Sequence, residues 1–255
     1  MAGRDGGGIS DNRAMVRVDV APSVLIWAQQ RSGVGLEDLE HRFPELKAWR
    51  AGDARPTLRQ LEGFARATHT PTGFLFLPKP PREILPLPDF RTVRNIAVEQ
   101  PTANLLDTVY QCQERQEWYR EWALANQEGP VPFVGSLRLT TPIVEAGAGL
   151  RRDLHFEVNN RGSTWTEALT RLRDNADDRG VLVMVNGVVG SNTHRKLDPR
   201  EFRGFSLVDS LAPLVFVNGS DTKAAQIFTM AHELAHIWLG ESALVDRNAH
   251  FWSVV

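Results

Sequence analysis

Through the first third of the chain, apolar residues fall at helical spacing. Val24, Leu25 and Ala28, then Leu36, Leu39 and Phe43, recur every three or four positions, with breaks at Ser32 to Gly35 and at Pro44. The stretch PTLRQLEGFARATHTP adds a longer helix, with Leu58, Leu61, Phe64, Ala65 and Thr68 on one stripe and Pro71 closing it. This pattern predicts a small all-α domain over residues 15–77. Ahead of it, residues 1–14 are rich in glycine and polar residues without any period, the composition of a disordered tail. Behind it, residues 78–100 carry Pro78, Pro80, Pro81, Pro86 and Pro88, which favour an extended, semi-rigid linker.

Beyond Pro101 the pattern changes type. ANLLDTVYQCQERQEWYREWALANQ predicts a long helix whose inner face carries Leu105, Leu106, Val109, Cys112, Gln116 and Tyr119. Thr164 and Glu167 have the spacing of a capping box ahead of ALTRLRDNADDRG, a helix ending in Gly180. The β-branched runs VLVMVNGVV and PLVFVN, bounded by Gly, Asn and Pro, predict strands, with FSLVDS a third. A last helix follows, N-capped by Ser220 or Asp221 and ended by Gly240. The expected class is α+β: a small helical domain, then a mixed domain over residues 101–255.

Composition narrows the setting without naming a task. At 42% hydrophobic residues, 255 residues are enough to bury a sizeable core. Cys112 is the single cysteine, so no disulfide forms within the chain and a reducing compartment, the cytoplasm, is expected. No apolar run approaches the roughly 18 to 20 residues of a membrane span, and the N-terminus lacks the apolar core of a signal peptide. A membrane partner is therefore not expected. The net charge of −2 exerts no global pull on nucleic acid, so such a partner has to be argued from a local patch.

Candidate chemistry sits in FTMAHELAHIWLG, residues 228–240. Four residues advance a helix by about 400°, which puts His232 and His236 one turn apart on nearly the same face, able to converge on one ion. Glu233, rotated by about 100° from His232, is not aligned as a ligand but is placed to act as a base. Zinc held by such a pair acidifies water and polarises carbonyl groups, the chemistry of peptide hydrolysis. The competing reading is a pair of packed core histidines. The neighbours Ile227, Phe228, Ala231, Leu234, Ala235, Ile237, Trp238 and Leu239 are apolar almost all round, which predicts a buried helix. Burying two imidazoles and a carboxylate without a partner would cost several kcal/mol, a cost that zinc offsets.

AAQIFTMAHELAHIWLG, preceded by APLVFVNG and RKLDPREFRGFSL, resembles the ImmA/IrrE family of metallo-endopeptidases over roughly Ile143 to Gly240. The resemblance implies a zincin-like domain in which His232 and His236 are zinc ligands and Glu233 is the catalytic base. It also implies a third ligand, a glutamate on a following helix about 25 to 30 residues past the second histidine. Val255 is only nineteen residues past His236, so the site reads as incomplete and the chain as C-terminally shortened. Ser242 stands where a third histidine six residues on would be, and Glu241 would lie about 140° around the helix from His236. Asp246 and His250 are the remaining substitutes.

LIWAQQRSGVGLEDLEHRF, LKAWRAG and PTLRQLEGFARATHTP resemble a Cro-type helix-turn-helix of the lambda-repressor class. Leu25, Ala28, Leu36, Leu39, Trp49, Gly52, Leu58 and Leu61 carry the likeness. Twelve residues separate Leu39 from Gly52, about one helical turn fewer than the usual pattern. The resemblance implies DNA as a partner, with Lys47, Arg50 and Arg55 as phosphate contacts. Eight basic residues against six acidic ones between Ala21 and Pro80 give a weak bias in that direction. A solvated face on a protein-interaction module accounts for the same charges. The resulting expectation is a zinc-dependent endopeptidase cleaving a repressor- or antitoxin-type protein, inactive if its third ligand is absent. The alternative is a DNA-binding or protein-binding regulator with a non-catalytic zincin scaffold.

Overall fold

Pro22 opens the first helix, α1 (Pro22–Ser32), where a missing N–H leaves no intrahelical bond unmade. Gly33, at φ +68°, closes it with a left-handed turn. The computed structural model describes residues 16–83, 85, 101–157, 159, 161–240 and 243–245, and the chain divides into two compact units at Arg82/Glu83. The expected tail at 1–14 and the linker residues 86–100 lie outside the described residues.

The first unit continues with α2 (Leu36–Arg42), α3 (Leu46–Ala51), α4 (Leu58–Ala67) and a 3-10 turn at Thr72–Phe76. A complete capping box starts α4: the Gln60 N–H donates to Thr57 Oγ1 at 3.2 Å and the Thr57 N–H to Gln60 Oε1 at 2.8 Å. The core gathers Val24, Leu25, Ala28, Leu39, Trp49, Leu61 and Phe64, all but sealed from solvent. Two details depart from the sequence pattern. Leu58, at the first position of α4, is 40% exposed, whereas Leu61 in the same turn is buried. The helix also stops at Ala67 rather than at Pro71, since the Thr68 hydroxyl folds back onto the Phe64 carbonyl at 2.9 Å and His69 turns left-handed at φ +50°.

In the second unit, a four-stranded sheet is built from β1 (Leu182–Asn186), β4 (Gly204–Leu207), β5 (Leu214–Asn218) and β6 (Ala243–Val245), in the order β1-β5-β4-β6. β1 runs parallel to β5, while β4 is antiparallel to both of its neighbours. A separate hairpin pairs β2 (Val188–Val189) with β3 (Asn192–Lys196). The helices are α5 (Ala103–Ala125), α6 (Ile143–Asp153), α7 (Trp165–Asp177) and α8 (Lys223–Leu239).

Why PLVFVN is apolar at every position follows from the layers. Leu214 and Phe216 face α5, joining Leu105, Leu106, Val109 and Cys112. Val215 and Val217 face the other way, onto Leu169, Leu172 and Ala176 of α7 and Met230, Leu234 and Ile237 of α8. A central strand covered on both faces needs no alternation. Gln116, placed by its spacing on the inner face of α5, donates to the Leu207 and Ala212 carbonyls at 2.9 and 2.8 Å. Cys112 is buried there, and burial pushes its thiol up to about 12.

Helix starts are where the sequence expectation needs correcting. Thr164 caps α7, accepting from the Glu167 N–H at 3.1 Å, but the Glu167 carboxylate accepts from Ser163 N–H and Oγ rather than from the capping residue. The N-cap of α8 is Thr222, not Ser220 or Asp221: its hydroxyl accepts from the Ala225 N–H at 3.3 Å. Ser220 belongs to the preceding turn, where its N–H donates to Asn218 Oδ1 at 3.0 Å.

Candidate metal centre

α8 lies beneath β4 and β5, and its close seat depends on Gly204. A Cβ at that position would fall 2.6 Å from Thr229 Cγ2 and 2.7 Å from the Phe216 carbonyl oxygen, so only glycine admits the helix at this distance. Buried Gln226 fixes the start of α8 by donating to the Gly219 and Asp221 carbonyls. At the other end, the Gly135 and Leu137 N–H groups donate to the Ile237 and Trp238 carbonyls at 3.1 and 2.8 Å. Helix-end carbonyls lack intrahelical partners, and here the Gly240 N–H also reaches the Ile237 carbonyl at 3.1 Å. Trp238 stacks on Phe133 with ring centroids 3.9 Å apart and donates from Nε1 to Asp153 Oδ2 at 3.1 Å.

On this fixed helix the His232 and His236 side chains converge, with 3.0 Å between their Nε2 atoms. Burial holds both imidazoles below their usual range. His232 is pushed down to about 4, by burial first and by the neighbouring His236 second. Both rings are therefore neutral at physiological pH, the state in which imidazole binds metal. Glu233 lies under β4, its Cγ 3.4 Å from where a Cβ on Gly204 would stand. Its carboxylate is 0% exposed, and neither oxygen has a partner at full hydrogen-bond geometry. Burial raises its proton affinity well above the usual carboxylate range, opposed only by the Ser206 hydroxyl on β4.

These residues fit part of a zinc site. Tetrahedral coordination with Zn–N of about 2.0 to 2.1 Å separates two ligand nitrogens by about 3.3 Å, close to the observed spacing. The His236 Nδ1 is buried without a partner. Among the described residues, no third His, Cys, Asp or Glu joins the pair. Glu241, Asp246 and His250 lie outside the described residues.

The expectation of a helix buried all round is not met. Phe228 is 47% exposed, Ala231 is exposed, and His232 is only partly covered. This side of α8 borders an apolar cleft of about 260 Å³, lined by Leu150, Leu154 and Phe156 opposite Phe228, Ala231 and His232. The imidazoles thus stand where the core meets an opening, while the carboxylate stands inside. Neither the cleft nor the contact of Ser206 with Glu233 is legible in the local sequence, because each joins segments far apart in the chain.

Lys47 and Arg50 lie on α3, which has only six residues; Lys47 is exposed and Arg50 partly buried. Arg55 follows Gly52 and pairs with Asp19 at 2.9 Å. No described helix is long and apolar enough to cross a membrane.

Residues 176–252 match the family model of the IrrE N-terminal-like domain, Peptidase_M78. The match lies within the second unit and covers under a third of the chain, and it makes that region similar to the ImmA/IrrE family of metallopeptidases. No curated protein and no solved structure matches it.

Proposed function

We propose that the second unit is a zinc-dependent endopeptidase acting on a repressor- or antitoxin-type protein. The observation that carries this reading is the 3.0 Å convergence of the His232 and His236 Nε2 atoms next to a buried carboxylate without a full hydrogen-bond partner. His232 and His236 would hold the metal, which when bound supplies a Lewis acid for water and for the scissile carbonyl. Glu233 serves as the proton carrier. Its raised proton affinity brings its oxygens toward the range in which a carboxylate both accepts a proton from water and returns it to a departing amide nitrogen. The apolar cleft beside His232 receives a large apolar side chain of the substrate.

Two measurements test this. Native mass spectrometry of the protein dialysed against micromolar zinc is expected to show one bound ion, with casein cleavage that a chelator stops. A chain that holds no zinc under these conditions is not the enzyme proposed. The second concerns Gly147 on α6, which lines the cleft and has open space where a Cβ would stand. Gly147→Leu is expected to stabilise the helix by about 0.5 to 1 kcal/mol, because glycine is entropically costly there, while filling part of the cleft. Stability and cleavage should then move in opposite directions. A rise in the thermal midpoint with unchanged cleavage next to large apolar residues would remove the cleft from the substrate path.

A further inference from the structure

A second cavity, of about 270 Å³, lies on the α5 side of the sheet, across from the face that α8 covers. α5 gives it Thr108, Gln111, Cys112 and Arg115, whose spacing aligns them along one face of the helix. Opposite stand Met184 on β1 and Phe216 on β5, both packed in the core beneath α5. The β2–β3 hairpin closes one end with Val188 and Gly190, tied to β1 by Asn186 Nδ2, which donates to the Gly190 carbonyl at 2.7 Å.

Two donors on this cavity are left over by the fold. Arg115 is the one charged residue that lines it, and among the described residues its guanidinium meets no carboxylate: Nη1 lies 3.5 Å from Met184 Sδ, a weak acceptor. The ion pairs of α5 lie elsewhere, joining Asp107 to Arg195 and Arg120 to Glu117 and Asp209. The second donor is on β1. The Leu182 N–H donates to the Pro213 carbonyl and the Gly219 N–H to the Asn186 carbonyl, so in this parallel pair Leu182, Met184 and Asn186 turn their backbone groups to β5, and Val183 and Val185 turn theirs outward. Asp177 Oδ1 accepts from the Val183 N–H at 3.1 Å, which leaves the Val185 N–H on the strand edge. Nothing on the wall opposes an anion. The Cys112 thiol, 3.8 Å from Met184 Sδ, is kept protonated by burial.

We propose that this cavity binds a small monocarboxylate with a short apolar chain, the carboxylate on the Arg115 guanidinium and the Val185 N–H, the chain against Met184 and Phe216. One planar guanidinium matches one planar carboxylate, whereas a phosphate dianion leaves a charge unmatched. The volume falls just below the range of about 300 to 1,000 Å³ usual for ligand pockets, which restricts the ligand to a few carbon atoms beyond the carboxylate. The cavity is across the sheet from His232, Glu233 and His236, so this site is independent of the peptidase reading and is tested without metal.

The test uses the full chain labelled with ¹³C in its methionine methyl groups and titrated with 4-methylpentanoate, its neutral amide, and inorganic phosphate. The Met184 methyl is expected to shift saturably with the acid, with a dissociation constant below about 5 mM, while the Met230 methyl, sealed in the core under α8, stays in place. The amide and phosphate are each expected to bind at least about ten-fold more weakly, because neither offers a single matched charge. Arg115→Gln is expected to weaken the acid by at least about ten-fold as well. Arg115 is exposed, so the variant should keep its fold, and an unmoved Met230 methyl in the free variant checks that. If the variant fails that check, the comparison of acid with amide on the wild type still decides. No movement of Met184 at about 20 mM acid, movement of Met184 and Met230 alike, equal affinity for acid and amide, phosphate binding as tight as the acid, or unchanged affinity in a folded Arg115→Gln each overturns the proposal.

Discussion

Replacing Glu233 by Gln is expected to lower peptide cleavage by about 10²- to 10⁴-fold, the usual contribution of a positioned base, and at the same time to stabilise the metal-free protein at neutral pH. The second half follows from burial. The folded protein holds the Glu233 proton more tightly than the unfolded chain, whose carboxyl titrates near 4.5. That stabilising proton is fully present below pH 4.5 and is lost as the pH rises toward the folded value. Gln keeps the shape and needs no charge. Urea denaturation of both proteins should show an advantage for Glu233→Gln that is larger at pH 8 than at pH 5. An advantage that shrinks with rising pH would mean that the carboxylate is well solvated or paired, and that the site is not as described.

Removal of either imidazole is the second large effect. His232→Ala and His236→Ala are each expected to weaken zinc binding by at least about 100-fold, since each leaves a single described ligand. The pH dependence of the wild type is the finer measurement. Two imidazoles with ordinary pKa values near 6.5 would lose about 100-fold in zinc affinity between pH 7.5 and 5.5, because protons compete for both rings. Here burial has already expelled those protons, with His232 pushed down to about 4. A loss smaller than about ten-fold over that interval is expected from competition titrations. The same depression makes the metal-free fold sensitive to acid: the stability tied to neutral His232 is complete above pH 6.5 and lost as the pH falls toward 4.

How much of this could be read from the sequence depended on where the information lies. His232, Glu233 and His236 are legible because one helix turn defines their relation, and α8 realises it. The strand Leu214–Asn218 is legible because burial on both faces leaves an unbroken apolar run. β3, with the sequence NTHRK, shows no apolar signal because most of it is exposed. α6 is obscured by Gly147 and Gly149, both poor helix formers, and no residue on it is fully buried. The site's surroundings were hidden for a different reason. Ser206, β6 and the cleft wall reach α8 from separate parts of the chain, and no local period encodes such meetings. Counting apolar neighbours along α8 also overstated its burial, since Phe228 and Ala231 line an opening rather than a core.

The bond from Trp238 Nε1 to Asp153 ties the last residue of α6 to the turn of α8 that holds His236. The wall of the cleft and the turn carrying His236 are thus two arms of one lever, with the Phe133–Trp238 stack as its fulcrum. A side chain that wedges α6 away from α8 pulls on the turn that carries His236, so what fills the cleft also shifts that imidazole relative to His232.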